Sequence, residues 1–140
     1  TLLRMMPAAM NVVLVDDDRI YQFAAKKTLE ATGLVSSLQS FPNGKEALHF
    51  LQKAIDGLVA LPDIIFLDIN MPIMNGWQFL DAFREMYNRL PRKVPIYMVS
   101  SSIDEVDINK SKQYTIVSDY IIKPVHKERF RQLLAHHTAA

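Results

Sequence analysis

The chain has 140 residues, of which 49% are hydrophobic, and its 16 basic and 15 acidic side chains give a formal net charge of +1. A chain of this length fits one ordinary domain with a substantial core. The near balance of charge argues against a nucleic-acid binder, in which basic residues gather on one face. The absence of cysteine excludes disulfides and thiolate metal sites.

No apolar run reaches the length that a membrane-spanning helix needs. The first ten residues are a short mixed segment, too weak for a secretory signal. We therefore expect a cytoplasmic protein that contacts neither membrane nor nucleic acid directly. The expected organisation is an N-terminal extension over residues 1–10, one folded domain over residues 11–137 and a tail over residues 138–140.

The first half of the chain alternates strand and helix. Residues 11–15 form a continuous apolar run, which is typical of a strand covered on both faces. A helix is predicted over residues 19–31. Its apolar positions are Ile20, Phe23, Ala24 and Leu29. In residues 34–41 apolar and polar side chains alternate poorly, which predicts an edge strand. A second helix is predicted over residues 45–57.

The second half repeats this alternation. The predicted strands are residues 64–67, 96–99 and 120–122. The predicted helices are residues 77–90, 104–112 and 127–136. Five strands alternating with five helices indicate an α/β domain with a parallel sheet. In such sheets ligands bind beyond the carboxyl ends of the strands, where the strand order reverses.

Polar side chains directly follow four of the five predicted strands. They are Asp16, Asp17 and Asp18 after the first, Asp68 after the third, Ser100, Ser101 and Ser102 after the fourth, and Lys123 after the fifth. Taken singly, each has an ordinary explanation, because Asp and Ser cap helices and a Lys before a Pro is usually a turn residue. A parallel sheet would bring all of them to one edge, and this convergence favours a functional site.

The chemistry of this convergence is specific. Closely packed carboxylates repel one another and raise each other's pKa, and a hard cation such as Mg²⁺ removes that cost. A carboxylate can also attack phosphorus, and the oxygens of a transferring phosphoryl group need positive charge around them. The sequence offers Asp16 and Asp17 for the metal, Lys123 for the ammonium and Ser100 for a hydroxyl.

Four stretches of the sequence resemble the receiver domains of bacterial two-component response regulators. They are VVLVDDD at residues 12–18, FLDINMPIMNG at 66–76, MVSS at 98–101 and DYIIKP at 119–124. The resemblance covers about residues 11–136 and includes stand-alone chemotaxis-type receivers. It implies a doubly wound, flavodoxin-like sheet of five parallel strands in the order 2-1-3-4-5, flanked by five helices.

The resemblance also implies roles for the acidic residues. Asp68 corresponds to the phospho-acceptor. Asp16 and Asp17 correspond to the acidic pair that holds Mg²⁺, directly or through water. Asp68 itself and the backbone carbonyl of Asn70 complete the metal site.

Further roles follow for the other strand-end residues. Ser100 and Lys123 match the hydroxyl and the ammonium that contact the phosphoryl group, and the Lys123–Pro124 peptide is expected to be cis. Tyr120 matches the aromatic residue that changes rotamer when Ser100 moves. The residues expected to tune access and hydrolysis are Asn70, Ser101 and Ser102. One departure is Val117-Ser118, where the family often has Gly-Ala before the fifth strand.

The function implied is phosphorelay signalling. A sensor histidine kinase or a histidine phosphotransfer protein would give its phosphoryl group to Asp68, and a conformational change would regulate an unidentified protein target. The chain would catalyse only its own phosphorylation and dephosphorylation. No metal-binding or phosphoryl-carrying role is predicted for the four histidines, and His136-His137 is interpreted as a solvated tail.

Two alternatives stay open from the sequence. The first is an interaction domain with the receiver shape and no phosphorylation, although such domains usually lose an acid or the lysine. The second is a Mg²⁺-dependent phosphatase with an aspartyl nucleophile, which usually carries a second Asp at the position of Asn70. A stand-alone receiver and a piece of a longer chain both fit the sequence, as do a monomer and a homodimer.

Overall fold

A computed structural model describes residues 9–138 of the chain. Most of the predicted N-terminal extension and the last two residues of the predicted tail lie outside these residues. The strands are β1 (Met10–Val15), β2 (Val35–Phe41), β3 (Ile64–Leu67), β4 (Ile96–Ser100) and β5 (Val117–Ile122). The helices are α1 (Arg19–Glu30), α2 (Gly44–Ile55), α3 (Gly76–Met86), α4 (Glu105–Ser111) and α5 (Lys127–Thr138), and a 3₁₀ turn at Tyr87–Arg89 follows α3.

The five strands form one parallel sheet in the order β2-β1-β3-β4-β5. The predicted doubly wound fold is therefore confirmed, and β2 lies at an edge as expected. The order reverses between β1 and β3, so the crevice beyond the ends of these two strands is the place where such sheets bind ligands.

Each face of the sheet carries its own hydrophobic layer. Residues of β1 alternate between the two layers, because successive side chains of a strand point to opposite faces. Val12 and Leu14 pack with Leu29 of α1 and Phe130 of α5. The opposite layer contains Val13, Val15, Leu51 of α2, and Phe79 and Phe83 of α3. Burial on both faces explains why β1 and β3 read as continuous apolar runs.

Side-chain caps fix where the helices begin. The N-cap residues of α1 to α4 are Asp18, Asn43, Asn75 and Asp104, each of which accepts a hydrogen bond from a backbone N–H of the first turn. Asn75 forms a capping box with Gln78. The caps satisfy amide groups that would otherwise lack partners at the helix starts. No helix among residues 9–138 is long and apolar enough to cross a bilayer.

The apolar positions of α1 named from the sequence do not make up its inward face. Ile20 and Phe23 are 83% and 65% exposed, and only Leu29 of the four predicted positions is buried. The inward stripe is Tyr21, Ala25 and Leu29, at an interval of four residues. This interval keeps one side of the helix against the sheet, whereas Ile20 and Phe23 fall outside that side.

Two boundaries near the C-terminus also differ from prediction. Strand β5 begins at Val117, which pairs with Ile96, so Val117-Ser118 belongs to the strand rather than preceding it. Helix α5 runs through both histidines to Thr138, and the Tyr97 hydroxyl lies 2.6 Å from Nε2 of His137. The interpretation of His137 as part of a solvated tail is therefore wrong, because this hydrogen bond holds it against β4.

Candidate functional site

Sheet register brings the predicted polar residues to one edge. Val15 pairs with Leu67, so Asp16 and Asp68 follow their strands at the same level. The Asp68 N–H donates to the Val15 carbonyl at 2.9 Å. One strand beyond β4, the Lys123 N–H donates to the Ser100 carbonyl, also at 2.9 Å. Adjacent parallel strands thus present acids, hydroxyl and ammonium together beyond their carboxyl ends.

Three carboxylates form the centre of the site. One oxygen from each of Asp16, Asp17 and Asp68 lies within 4.8 Å of the other two. Asp16 and Asp68 are buried, with 3% and 9% of their surface exposed, whereas Asp17 is exposed. The acidic cluster therefore has a buried base and one carboxylate at the solvent boundary.

The ammonium of Lys123 contacts the two buried acids. Its Nζ donates to Oδ2 of Asp16 at 2.7 Å and lies 3.8 Å from Oδ2 of Asp68. The other carboxylate oxygens accept backbone hydrogen bonds, Asp16 from the Asp18 N–H at 2.9 Å and Asp68 from the Ile69 N–H at 2.8 Å. The Lys123–Pro124 peptide is cis, as the resemblance implies.

Electrostatics of the cluster favour a further cation. Burial, and then the charge of Asp16, raise the pKa of Asp68 from 3.8 to about 6, although Lys123 and the Ile69 N–H act in the opposite direction. Three carboxylates with one ammonium leave two negative charges in the cluster. A set of carboxylate oxygens with uncompensated charge fits a hard divalent cation such as Mg²⁺ or Mn²⁺.

Ser100 and Tyr120 are linked through the loop that follows β4. The buried Ser100 Oγ accepts a hydrogen bond from the Ser102 N–H at 3.1 Å. The Tyr120 hydroxyl donates to the Ser102 carbonyl at 2.8 Å. Both predicted switch residues therefore bind the backbone of the same residue, Ser102.

The three predicted tuning residues lie in loops at the same edge. Asn70 and Ser101 are exposed. The Ser102 hydroxyl donates to Oδ2 of Asp107 in α4 at 2.8 Å. This bond ties the hydroxyl of Ser102 to α4, whereas the side chains of Asn70 and Ser101 are exposed to solvent.

Sequence reasoning missed two residues of α1 that contact this site. The ring of Tyr21 lies against Lys123, with its centroid 4.0 Å from Nζ. The amide of Gln22 donates to the carbonyls of Asp16 and Phe41, joining the ends of β1 and β2. Burial, Asp16 and Asp68 all raise the pKa of Tyr21, so its phenol stays neutral. Their position in the sequence could have indicated this contact, because both residues lie in the first turn of the helix that follows the acidic run.

Comparison with known proteins gives a consistent assignment. The family model described as "Response regulator receiver domain" matches residues 12–135. The probable C4-dicarboxylate response regulator DctR of Bacillus subtilis is 29% identical over 124 residues, which are 89% of this chain and 50% of DctR. The probable methanogenesis regulatory protein FilR2 of Methanothrix harundinacea is 25% identical over 86% of this chain and 76% of its own length.

Solved structures share the fold over nearly the whole chain. A two-component response regulator from Cytophaga hutchinsonii superposes with a TM-score of 0.83 and 29% identity, covering 94% of this chain and 99% of that one. The Mn²⁺-bound response regulator Rcp1 superposes with a TM-score of 0.70 at 21% identity, over 91% and 90% of the two chains. From the family match and the fold together, this chain belongs to the response regulator receiver domains of two-component systems.

Proposed function

We propose that this receiver domain takes a phosphoryl group from a phosphohistidine donor onto the carboxylate of Asp68 in a Mg²⁺-dependent reaction. The observation that carries the proposal is the shared pocket of Asp16, Asp17, Asp68 and Lys123, in which three carboxylate oxygens and an ammonium lie within a few ångströms. A pKa of about 6 leaves Asp68 mainly ionised at neutral pH, as a nucleophile requires.

Asp16, Asp17 and Asp68 are the side chains that would hold the metal, and the backbone carbonyl of Asn70 is the fourth proposed ligand. The metal, when bound, supplies positive charge for the phosphoryl oxygens. The acidic cluster provides only oxygen donors and has no sulfur or imidazole within it, which suits Mg²⁺. The Mn²⁺-bound Rcp1 structure shows a divalent cation on the same fold in another protein.

The transfer exchanges one bond to phosphorus for another. A carboxylate oxygen of Asp68 forms the new bond as the bond between phosphorus and the donor's imidazole nitrogen breaks, and the imidazole leaves with its electron pair. The Lys123 ammonium, whose Nζ lies 3.8 Å from Oδ2 of Asp68, would stabilise the negative charge on the phosphoryl oxygens. Ser100 accepts its hydrogen bond from the Ser102 N–H, so its own hydroxyl hydrogen remains available to a phosphoryl oxygen.

The signal would leave through the face formed by α4, β5 and α5, the output face. A phosphoryl group at Asp68 adds negative charge and draws Ser100 toward it, which shifts the loop held by Tyr120. Exposed apolar side chains on or beside this face suit a protein partner. They are Ile103, Val106 and Ile122, exposed by 74%, 71% and 44%.

The proposed partners are a sensor histidine kinase or a histidine phosphotransfer protein upstream and a protein target downstream. The chain spans only half the length of DctR, so the activity of that whole protein is not carried over. We propose cytoplasmic signalling in which the chain catalyses only its own phosphorylation and dephosphorylation. Asn70, Ser101 and Ser102 would set phosphoryl access and lifetime, and Asn70 and Ser102 offer only small polar groups against attacking water.

The test is labelling with acetyl phosphate, with and without Mg²⁺, followed by intact-mass spectrometry. We expect a mass gain of one phosphoryl group in the wild-type protein that depends on Mg²⁺ and is absent in Asp68→Asn. Asp63→Asn serves as the matched control, because Asp63 binds Asn11 and Arg92 away from the cluster. Labelling that persists in Asp68→Asn, or none in the wild type, would refute the proposal and favour an unphosphorylated interaction domain.

A further inference from the structure

We infer that Tyr21 is a positioning residue for phosphoryl transfer, whose ring face holds the ammonium of Lys123 toward the carboxylates of Asp16 and Asp68. This inference rests on the proposed function, since it assigns to Tyr21 the task of orienting the group that meets the phosphoryl oxygens. The residue enters no bond change and acts only through Lys123.

The ammonium contacts two anions and an aromatic ring. Its Nζ is 2.7 Å from Oδ2 of Asp16, 3.8 Å from Oδ2 of Asp68 and 4.0 Å from the ring centroid of Tyr21. A cation over a ring face is attracted by the negative face of the π system, most strongly where water is excluded. The Lys123 side chain is only 17% exposed, so this contact operates in a largely desolvated place.

The position of the ring is fixed by the start of α1. The Tyr21 N–H donates to Oδ1 of the cap Asp18 at 3.1 Å, which sets the first turn directly after the acidic pair. The half-buried ring packs against the hydrophobic layer formed with α1 and α5. The neighbouring Gln22 ties this turn to the carbonyls of Asp16 and Phe41. The ring is therefore held by the same backbone that presents the metal-binding acids.

A fixed ring matters because a lysine side chain is long and flexible. Free lysine ammonium groups are strongly hydrated and sample many rotamers, and ordering them costs conformational entropy. The contacts with the ring and with Asp16 both favour rotamers that keep the Lys123 ammonium in the pocket. The ammonium is thus already beside Asp68 when a phosphoryl group arrives, as efficient transfer requires.

The same helix supplies an internal comparison. Lys27 lies over the ring of Phe23 with 5.4 Å between Nζ and the centroid, but Phe23 is 65% exposed and its lysine contacts no residue of the acidic cluster. Phe23→Leu therefore removes an aromatic ring and a cation–π contact from α1 without touching Lys123. This variant therefore shows whether a change in labelling rate comes from a general disturbance of α1 or from the loss of the contact with Lys123.

The experiment measures the rate of Mg²⁺-dependent labelling by acetyl phosphate in Tyr21→Phe, Tyr21→Leu, Phe23→Leu and Lys123→Met, and in Tyr21→Leu combined with Lys123→Met. Loss of the ring in Tyr21→Leu is expected to slow labelling by about 3- to 30-fold, the range of a partly desolvated cation–π contact. Tyr21→Phe keeps the ring and is expected to recover most of the rate, whereas Phe23→Leu matches the wild type. In the Lys123→Met background, Tyr21→Leu should cause no further slowing, because the group that it positions is gone.

A second measurement does not depend on phosphorylation. In a proton–carbon spectrum of the ¹³C-lysine-labelled protein, the ring current of Tyr21 should shift the Lys123 ε-protons upfield, and Tyr21→Leu should abolish this shift. Urea unfolding of each variant checks that the fold is intact. Absence of labelling in the wild type would refute the proposed function itself. A wild-type rate in Tyr21→Leu, equal slowing with and without Lys123, or an unshifted lysine signal in the wild type would overturn the role of Tyr21 alone.

Discussion

Lys123 is hydrogen-bonded to Asp16 rather than to Asp68, with Nζ 2.7 Å from the Asp16 carboxylate and 3.8 Å from that of Asp68. The ammonium therefore neutralises an acid that is also a proposed metal ligand. The lysine and a divalent cation would share the charge of Asp16, and each would weaken the attraction of the acid for the other.

Lys123→Met is expected to strengthen Mg²⁺ binding. Removal of the ammonium leaves Asp16 and Asp68 without their nearby positive charge, so the free energy gained on binding a cation increases. We expect the dissociation constant for Mg²⁺ to fall by about fivefold or more, on the basis of a partly buried charge interaction of about 1 kcal/mol or more. Isothermal titration calorimetry measures this dissociation constant. Lys127→Met, on an exposed lysine at the start of α5, is the control and should leave the constant unchanged.

Mg²⁺ affinity is expected to fall as the pH is lowered through about 6. Burial and the charge of Asp16 raise the pKa of Asp68 to about 6, so protons compete with the metal for this carboxylate below that value. Between about pH 7.5 and pH 5 the affinity should drop by about tenfold, the ratio of the ionised fractions. Fluorescence titrations across this pH range provide the measurement. A flat profile down to about pH 5 would contradict the elevated pKa of Asp68.

Asp68→Asn is expected to stabilise the metal-free protein at high pH. The folded-state pKa of Asp68, about 6, lies above its ordinary value of 3.8, so the charged form of this side chain lowers the free energy of unfolding. The whole loss is present above about pH 6, and none of it remains below about pH 4, where Asp68 is protonated in both states. Asn keeps the acceptor for the Ile69 N–H and removes the charge. We expect a gain of about 3 kcal/mol at about pH 8 that shrinks toward about pH 4.

Urea unfolding in the presence of a chelator measures this gain. Asp18→Asn is the matched control, because it removes one negative charge from the same edge at an exposed residue and retains a good helix cap. Equal gains in both variants would mean that overall charge at the edge, and not burial of Asp68, is responsible.

Gly76→Ala is expected to disturb the loop that follows Asp68. A Cβ at this position would lie 2.3 Å from the Asp68 carbonyl oxygen and 3.0 Å from Cα of Ile69, and both are backbone atoms. The free energy of unfolding should fall by about 3 kcal/mol, and labelling of Asp68 should slow, because the backbone must move. Gly33→Ala, at a φ of +74° with open space around it, should cost only about 1 kcal/mol through strain and leave labelling unaffected.

Most of the fold and much of the site could be predicted from the sequence for one physical reason. Parallel strands buried on both faces give continuous apolar runs, and the first polar residue after each run marks its carboxyl end. That rule located Asp16, Asp68 and Lys123 before any contact was known, and the structure brings the three together. It also located Ser100, whose backbone carbonyl bonds to Lys123.

The rule did not give the rotation of the helices about their axes. Ile20 and Phe23 belong to the apolar positions of α1, yet the helix exposes both and presents Tyr21 and Leu29 to the sheet. Spacing alone allowed both orientations, because an amphipathic pattern with apolar residues on two sides has no single inward stripe. The outcome depended on how α1 packs against β1 and α5.

The sequence by itself determined the strand order expected of its family, the edge of the sheet at which the acidic cluster lies and the types of residue gathered there. The tertiary structure decided which partners individual residues take. Lys123 is hydrogen-bonded to Asp16 rather than to Asp68, and its ammonium also lies over the ring of Tyr21. Away from the site, His137 contacts Tyr97. The ends of the strands are set by local apolar runs, which can be identified in the sequence. Contacts between residues 16 and 123, or 97 and 137, depend on the packing of separate elements, which exists only once the chain has folded.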